Sequence, residues 1–155
     1  MQTRADSMAA APSENSGVHL WLVLMKAHRA VSRHAMRSIE PSGLGFSDFA
    51  VLEVLLNKGP QKVNDIGRRV DLTSGAITTA IDRLEKRGLV VRGLDDEDRR
   101  SRIVHLTPGG RARIAEVFAE HAAALETASK GLTKAERKSL IELLKKLGIA
   151  AERDA

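Results

Sequence analysis

Thr73, Ser74, Gly75, Thr78 and Thr79 place five small residues, four of them hydroxyls, within two helical turns, and Arg83, Lys86 and Arg87 follow. Side chains this short let a backbone approach a polyanion closely. Their hydroxyls can hydrogen-bond to phosphates or base edges, and the basic residues suit phosphates. Helix capping and solvated surface are the structural alternative for the same hydroxyls. A second concentration of charge is "LDDEDRRSRIVHLT", residues 94–107, where four consecutive acids meet three arginines before a β-branched apolar run. In a loop, such acids would shape and solvate the turn while the arginines reach outward. The loop can face a phosphate backbone only with its arginines toward it and its acids away.

The elements that must position these groups are legible as apolar periodicities. Trp21, Met25, His28, Ser32, Ala35 and Ile39 recur at alternating steps of four and three, predicting a helix from Val18 to Ile39 that carries Lys26, Arg29, Arg33 and Arg37 on another face. "EPSGLG" ends it, and a second helix is expected from Gly45 or Ser47, with Asp48 near its positive end, to the Gly59-Pro60 stop. Two shorter helices follow, roughly Val63–Arg69 and Ser74–Arg87. Val63, Ile66 and Val70 stripe the first, and Ala76, Ile77, Ala80, Ile81 and Leu84 the second, so the pair can pack together. Asp71 falls where a tight turn often needs a left-handed residue, and Thr73 is a good N-cap. "GLVVR" and "RIVHL" read as two strands of a hairpin whose long loop is the charged block. Thr107 caps a further helix with Pro108 at its first position, running to about Lys130 with Ile114, Val117, Phe118, Ala122 and Leu125 inward. Thr133 and Glu136 form a capping-box pattern for a last helix striped by Leu140, Leu143, Leu144 and Leu147.

The fold class expected is α+β, mainly α: a winged helix-turn-helix flanked by N- and C-terminal helices. Residues 1–17 and 149–155 read as tails, the first of them disordered, around a single domain at 18–148. Within it the flanking helices are 18–39, 108–130 and 133–148, and the winged-helix core is 45–107. In such an arrangement the second helix of the pair enters the major groove and the hairpin loop reaches the flanking minor groove.

A chain of 155 residues with 43% hydrophobic composition supports one domain with a real core. The formal charge of +5 favours a polyanionic partner, though basic soluble proteins are common. No cysteine is present, which excludes disulfides, thiolate metal sites and thiol redox sensing. The first 17 residues lack the apolar core of a secretory signal, and the longest apolar run, Leu20–Met25, is too short to span a bilayer, so a cytoplasmic location without membrane contact is expected.

"NDIGRRVDLTSGAITTAIDRLEKRGLVVRGLDDEDRRSRIVHLTPGGR" resembles the DNA-binding core of the MarR family of bacterial transcription regulators, and the flanking helices fit that family from about residue 18 to 148. "IDRLEKRGLV", then "DRR", then an apolar strand ending in "LTPGG" match the family's recognition helix, wing and following helix in order. The resemblance implies a homodimer whose N- and C-terminal helices, 18–39, 108–130 and 133–148, interlock as the dimerisation region. It also implies a repressor that holds a pseudo-palindromic operator in double-stranded DNA until a small aromatic or phenolic ligand releases it. Arg100 matches the wing arginine of the minor groove, Asp98 the acid that helps shape the wing, and Arg99 and Arg102 phosphate or structural partners. The expected DNA contacts are therefore Thr73, Ser74, Gly75, Thr78, Thr79, Arg83, Arg99 and Arg100. Thr79 departs from the family, which often has arginine there, and Gly45 replaces the usual hydroxyl cap of the second helix.

The family's ligand pocket lies between the dimerisation and DNA-binding regions, which makes Trp21, Met25, His28, Arg29, Phe46, Phe49 and Phe118 candidate ligand residues, with core or dimer packing as the alternative for most. The basic stripe of the first helix reads as a solvated face, or as Arg29 or Arg33 held ready for an anionic ligand. "SDFAVLEVLLNKGP" with "IGRRVDLTSGAITTAIDRLEKRGLV" resembles a subgroup associated with quinones and related aromatics, and without cysteine the trigger would be reversible binding. The five histidines are scattered without ligand spacing, so no metal or other cofactor is expected, and no nucleophile and base pair supports an enzyme. The rival readings are a winged-helix interaction module without specific DNA binding, since residues 95–98 offset the wing's basic charge, and an enzyme or ligand carrier without DNA affinity.

Overall fold

The computed structural model describes residues 13–94 and 102–153. Its first helix, α1, spans Gly17–Ile39 and starts where the Ser16 hydroxyl accepts the His19 N–H at 3.1 Å. A single 3-10 turn, Glu40–Ser42, follows, and the chain reverses at Gly43, whose φ of 66° favours glycine. Helix α2, Phe46–Lys58, begins at Gly45 without a side-chain cap and stops at Gly59, with a φ of 73°. Helix α3, Val63–Arg69, and helix α4, Ser74–Lys86, are joined through Asp71 at a φ of 54°, the left-handed residue the sequence called for. Thr73 caps α4 by accepting the Ala76 N–H.

Among the described residues the sheet has three antiparallel strands in the order β1-β3-β2: β1 is Gln61–Lys62, β2 Val90–Leu94 and β3 Arg102–Leu106. Arg92 opposes Val104, and Gln61 opposes the same residue from the other side. The two-residue strand β1 has no sequence signature of its own; it forms because it is extended beside an open edge of β3. Helix α5, Pro108–Ala128, follows β3, with the Thr107 hydroxyl accepting the Gly110 N–H at 2.9 Å. Helix α6, Lys134–Arg153, runs past the end expected at 148, so most of the anticipated C-terminal tail is helical.

The core unites these elements. Phe49, Val51, Leu52 and Leu55 of α2 meet Ile66 of α3, Ile77, Ala80, Ile81 and Leu84 of α4, Val90 and Val104 of the sheet, and Ile114 and Val117 of α5. Ala76, assigned by its periodicity to the inner stripe of α4, is exposed instead, because the stripe is centred on Ile77, Ala80, Ile81 and Leu84. The junction of α4, β2 and α5 is tight: Thr107 N–H donates to the Leu89 carbonyl at 3.1 Å and its hydroxyl to the Gly88 carbonyl at 2.7 Å. A Cβ on Gly110 would stand 1.8 Å from the Leu89 oxygen, which explains the second glycine of "LTPGG".

The outer helices are less enclosed. α1 packs along α5, yet Val18, Trp21, Leu22 and Val23 remain exposed, Trp21 at 58%. No residue of α6 is buried, and Leu140, Ile141, Leu143, Leu144, Leu147 and Ile149 all face outward. No helix among the described residues is long and apolar enough to cross a membrane.

Candidate nucleic-acid interface

Burying Ile77, Ala80, Ile81 and Leu84 turns the opposite side of α4 to solvent, and Thr73, Ser74, Gly75, Thr78 and Thr79 are all exposed there. Thr78 donates its hydroxyl proton to the Ser74 carbonyl at 2.8 Å, and Thr79 to the Gly75 carbonyl at 2.9 Å. With the protons directed along the helix, the outward lone pairs are acceptors, suited to the exocyclic amino groups of adenine or cytosine. The exposed first turn adds N–H groups and the positive end of the helix dipole, which favour a phosphate.

Arg83, expected as a DNA contact, also forms an ion pair within the protein. Its Nε donates to both carboxylate oxygens of Asp48, at 3.0 and 2.8 Å, and one terminal nitrogen donates to Oδ1 at 2.5 Å. Asp48 is 1% exposed, so its charge demands a partner, and the planar guanidinium supplies one from 35 residues away. The hydrogen bond and the charge of Asp48 together raise the Arg83 pKa above its ordinary value. Arg87 stands behind the pair, 3.9 Å from Asp48, and donates to the Gly43 carbonyl at 3.2 Å. Arg83 thus holds α4 against the start of α2 through Nε and one terminal nitrogen, while its side chain remains 47% exposed.

The other flank of α4 is tied to the strands. Arg92 of β2 donates its N–H to Glu85 Oε1 at 3.0 Å, and its guanidinium reaches Glu85 Oε2 and Asp82 Oδ1, each at 2.5 Å. Neither Asp48 nor Arg92 was singled out from the sequence as a site residue. The acid in the first turn of α2 was noticed only for the helix dipole, although its place between Ser47 and Phe49, facing an apolar interior, is the signal that it needs a partner. Asp98, Arg99 and Arg100, the expected wing residues, lie outside the described residues; Arg102 opens β3 and is exposed.

The candidate ligand residues divide between two neighbouring grooves along α1. Met25, His28 and Arg29 line one of about 390 Å³ together with Ser32, Arg33, Met36 and Arg37. Phe46 lines the other, of about 310 Å³, together with Met36, Arg37, Ile39, Glu40, Leu44 and Gly45. Met36 and Arg37, shared by both, were not among the residues expected. Trp21 lines neither groove and is exposed. Phe49, placed among the pocket residues, is a core residue: it is 1% exposed and its ring lies 4.7 Å from that of His121. Phe118 is half-buried against the same core. Among the described residues no group of three or more histidines or carboxylates is placed to hold a metal ion.

Comparison with known proteins bears on this geometry. A model of the MarR family matches residues 42–101, the segment from the α1–α2 connection into the wing. The HTH-type transcriptional regulator YkoM of Bacillus subtilis is 40% identical over 135 residues, covering 87% of this chain and 88% of YkoM. The chain belongs to the MarR family. Among solved structures, a cysteine-to-serine mutant of E. coli MarR complexed with operator DNA is similar with a TM-score of 0.75 and 25% identity, over 88% of this chain and 99% of that one. BpsR of Bordetella bronchiseptica, whose DNA binding is regulated by 6-hydroxynicotinic acid, is similar with a TM-score of 0.73 and 28% identity, over 84% and 98%. This MarR-family chain is therefore a DNA-binding transcription regulator with a mainly helical winged-helix fold.

Proposed function

We propose that this regulator is a ligand-responsive repressor that holds a pseudo-palindromic operator as a homodimer. The observation that carries the reading is the exposed face of α4, where Thr73, Ser74, Gly75, Thr78 and Thr79 form a close-approach surface. Thr78 and Thr79 read base edges, the first turn of α4 meets a phosphate, and Arg99 and Arg100 serve the wing. Arg83 sets the helix through Asp48 and, with its side chain 47% exposed, keeps a terminal nitrogen for a phosphate.

Homodimerisation is supported by α6, a twenty-residue helix whose leucine stripe is exposed, and by the uncovered apolar end of α1. Apolar surface on this scale favours association with matching surface. Two winged helices on a dyad would set two α4 helices about one helical turn apart, roughly 34 Å, in successive major grooves.

The ligand is an aromatic or phenolic anion held along α1. Met25, Met36 and Phe46 offer apolar contact, and Arg29, Arg33 and Arg37 border the same grooves with cationic groups. The regulation of BpsR by a hydroxylated aromatic acid supports this class. Release follows if occupancy changes the spacing of the two α4 helices, since a ligand shifts an equilibrium only by binding one state better.

Selection of duplexes from a random pool, followed by gel shift with phenolic acids and quinones as competitors, tests the reading. A recovered inverted repeat that Thr78→Ala and Thr79→Ala proteins discriminate less well, and that a phenolic acid releases, is the expected result. Recovery of no enriched sequence would favour the interaction-module reading.

A further inference from the structure

Arg92 lies in the middle of β2 opposite Val104, and its side chain is only 22% exposed. Its guanidinium spans two carboxylates one turn apart on α4, Asp82 Oδ1 and Glu85 Oε2, each at 2.5 Å, while its own N–H donates to Glu85 Oε1 at 3.0 Å. The root of the same strand is fixed separately. Gly88 turns the chain with a φ of 69°, and Leu89 N–H returns to the Leu84 carbonyl at 3.0 Å. A strand held at its root alone can still swing; held again three residues later, its direction relative to α4 is set. β3 follows, paired residue for residue from Val90↔Leu106 to Leu94↔Arg102.

We propose that Arg92 is a positioning residue for DNA binding, which with Asp82 and Glu85 forms a strut that fixes the angle between the recognition helix and the wing strands. The inference rests on the DNA-binding reading of α4. It also explains two acids on a helix that meets a polyanion. Asp82 and Glu85 would repel phosphate if left bare, and their pairing with Arg92 converts that liability into geometry. Burial lowers the Arg92 pKa, but the hydrogen bonds and charges of Asp82 and Glu85 outweigh it and raise the value overall, so the strut stays charged wherever the protein is folded near neutral pH.

The alternative use of a basic residue here, direct phosphate contact, differs in sign. Removing acids beside DNA ordinarily tightens binding; removing them from a strut loosens it. The experiment measures anisotropy of a labelled duplex, selected by the wild-type protein from a random pool, across a salt series. Arg92→Gln is expected to weaken affinity at least about tenfold, the equivalent of one lost charge-assisted hydrogen bond, with the slope of log affinity against log salt unchanged. Asp82→Asn with Glu85→Gln should weaken binding in the same sense, the triple variant should be no weaker than Arg92→Gln, and Arg92→Lys should recover part of the loss. A slope flattened by about 0.9 in Arg92→Gln, or tighter binding by the acid-free variant, would overturn the strut. Amide exchange in the DNA-free protein gives an independent reading: Glu85→Ala should accelerate exchange at the Arg92 N–H. Unchanged exchange counts against the strut even if no duplex is selected, an outcome that would itself sink only the DNA-binding reading.

Discussion

Gly110 and Gly109 are neighbours of one residue type under opposite constraints. A methyl at Gly110 collides with the Leu89 carbonyl that Thr107 also uses, whereas a Cβ at Gly109 meets only the Thr107 hydroxyl oxygen at 3.9 Å. Gly110→Ala should therefore lower stability by about 3 kcal/mol, the upper range for overpacking, and Gly109→Ala should change it by less than about 1 kcal/mol. Thermal unfolding of the two variants checks the contrast; equal midpoints would mean that the α4–β2–α5 junction is looser than described. Local residue roles of this kind were partly legible in the sequence. Thr73, Thr107 and Asp71 do what their types and positions predict, because caps and left-handed turns are decided within a few residues. Asp48 and Arg83 were not legible as a pair, since 35 residues separate them and only the fold brings the carboxylate and guanidinium together. Phe49 went to the core for the same reason: periodicity says that a side chain is inward without saying whether inward means pocket or interior.

At the scale of elements, α6 depends on its first turn. Thr133 and Glu136 form the reciprocal box expected of them, with Thr133 N–H donating to Glu136 Oε2 at 2.7 Å and Glu136 N–H to the Thr133 hydroxyl at 3.3 Å. The backbone and then the side-chain hydrogen bond from Thr133 hold the Glu136 carboxyl below the ordinary carboxylate range. A depressed folded pKa contributes stability that is present above the unfolded value and is lost as pH falls through the folded one. Glu136→Gln should therefore be less stable than wild type near neutral pH, with the difference shrinking as pH drops below the ordinary glutamate range. Melting curves across that range check it, and a difference independent of pH would mean that the carboxylate charge is not what the cap uses. The helices and the hairpin strands were legible from apolar period and turn residues, with ends shifted by a few positions. β1 was not, because two residues carry no period. The extension of α6 to Arg153 was missed because its stripe ends near Leu147, and helix can continue without an apolar face.

On the scale of the whole molecule, a winged-helix core is enclosed while α6 and the end of α1 keep their apolar faces in water. Each leucine fully buried there by association would contribute roughly 1.5–3 kcal/mol. Leu143→Glu together with Leu144→Glu should therefore yield a monomer in sedimentation, as should removal of residues 133–155; a dimer that persists in both would place the interface elsewhere. Such a monomer would keep α4 and lose operator affinity, because only a dyad presents two recognition helices at the repeat of the double helix. The central claim, that paired α4 helices and wings hold one operator, is tested most directly by hydroxyl-radical footprinting on a duplex selected by the wild-type protein. Two protected tracts related by a dyad and centred about one helical turn apart are predicted, each with a flanking minor-groove patch that Arg100→Ala removes. A single tract, or flanking protection that Arg100→Ala leaves intact, would contradict it.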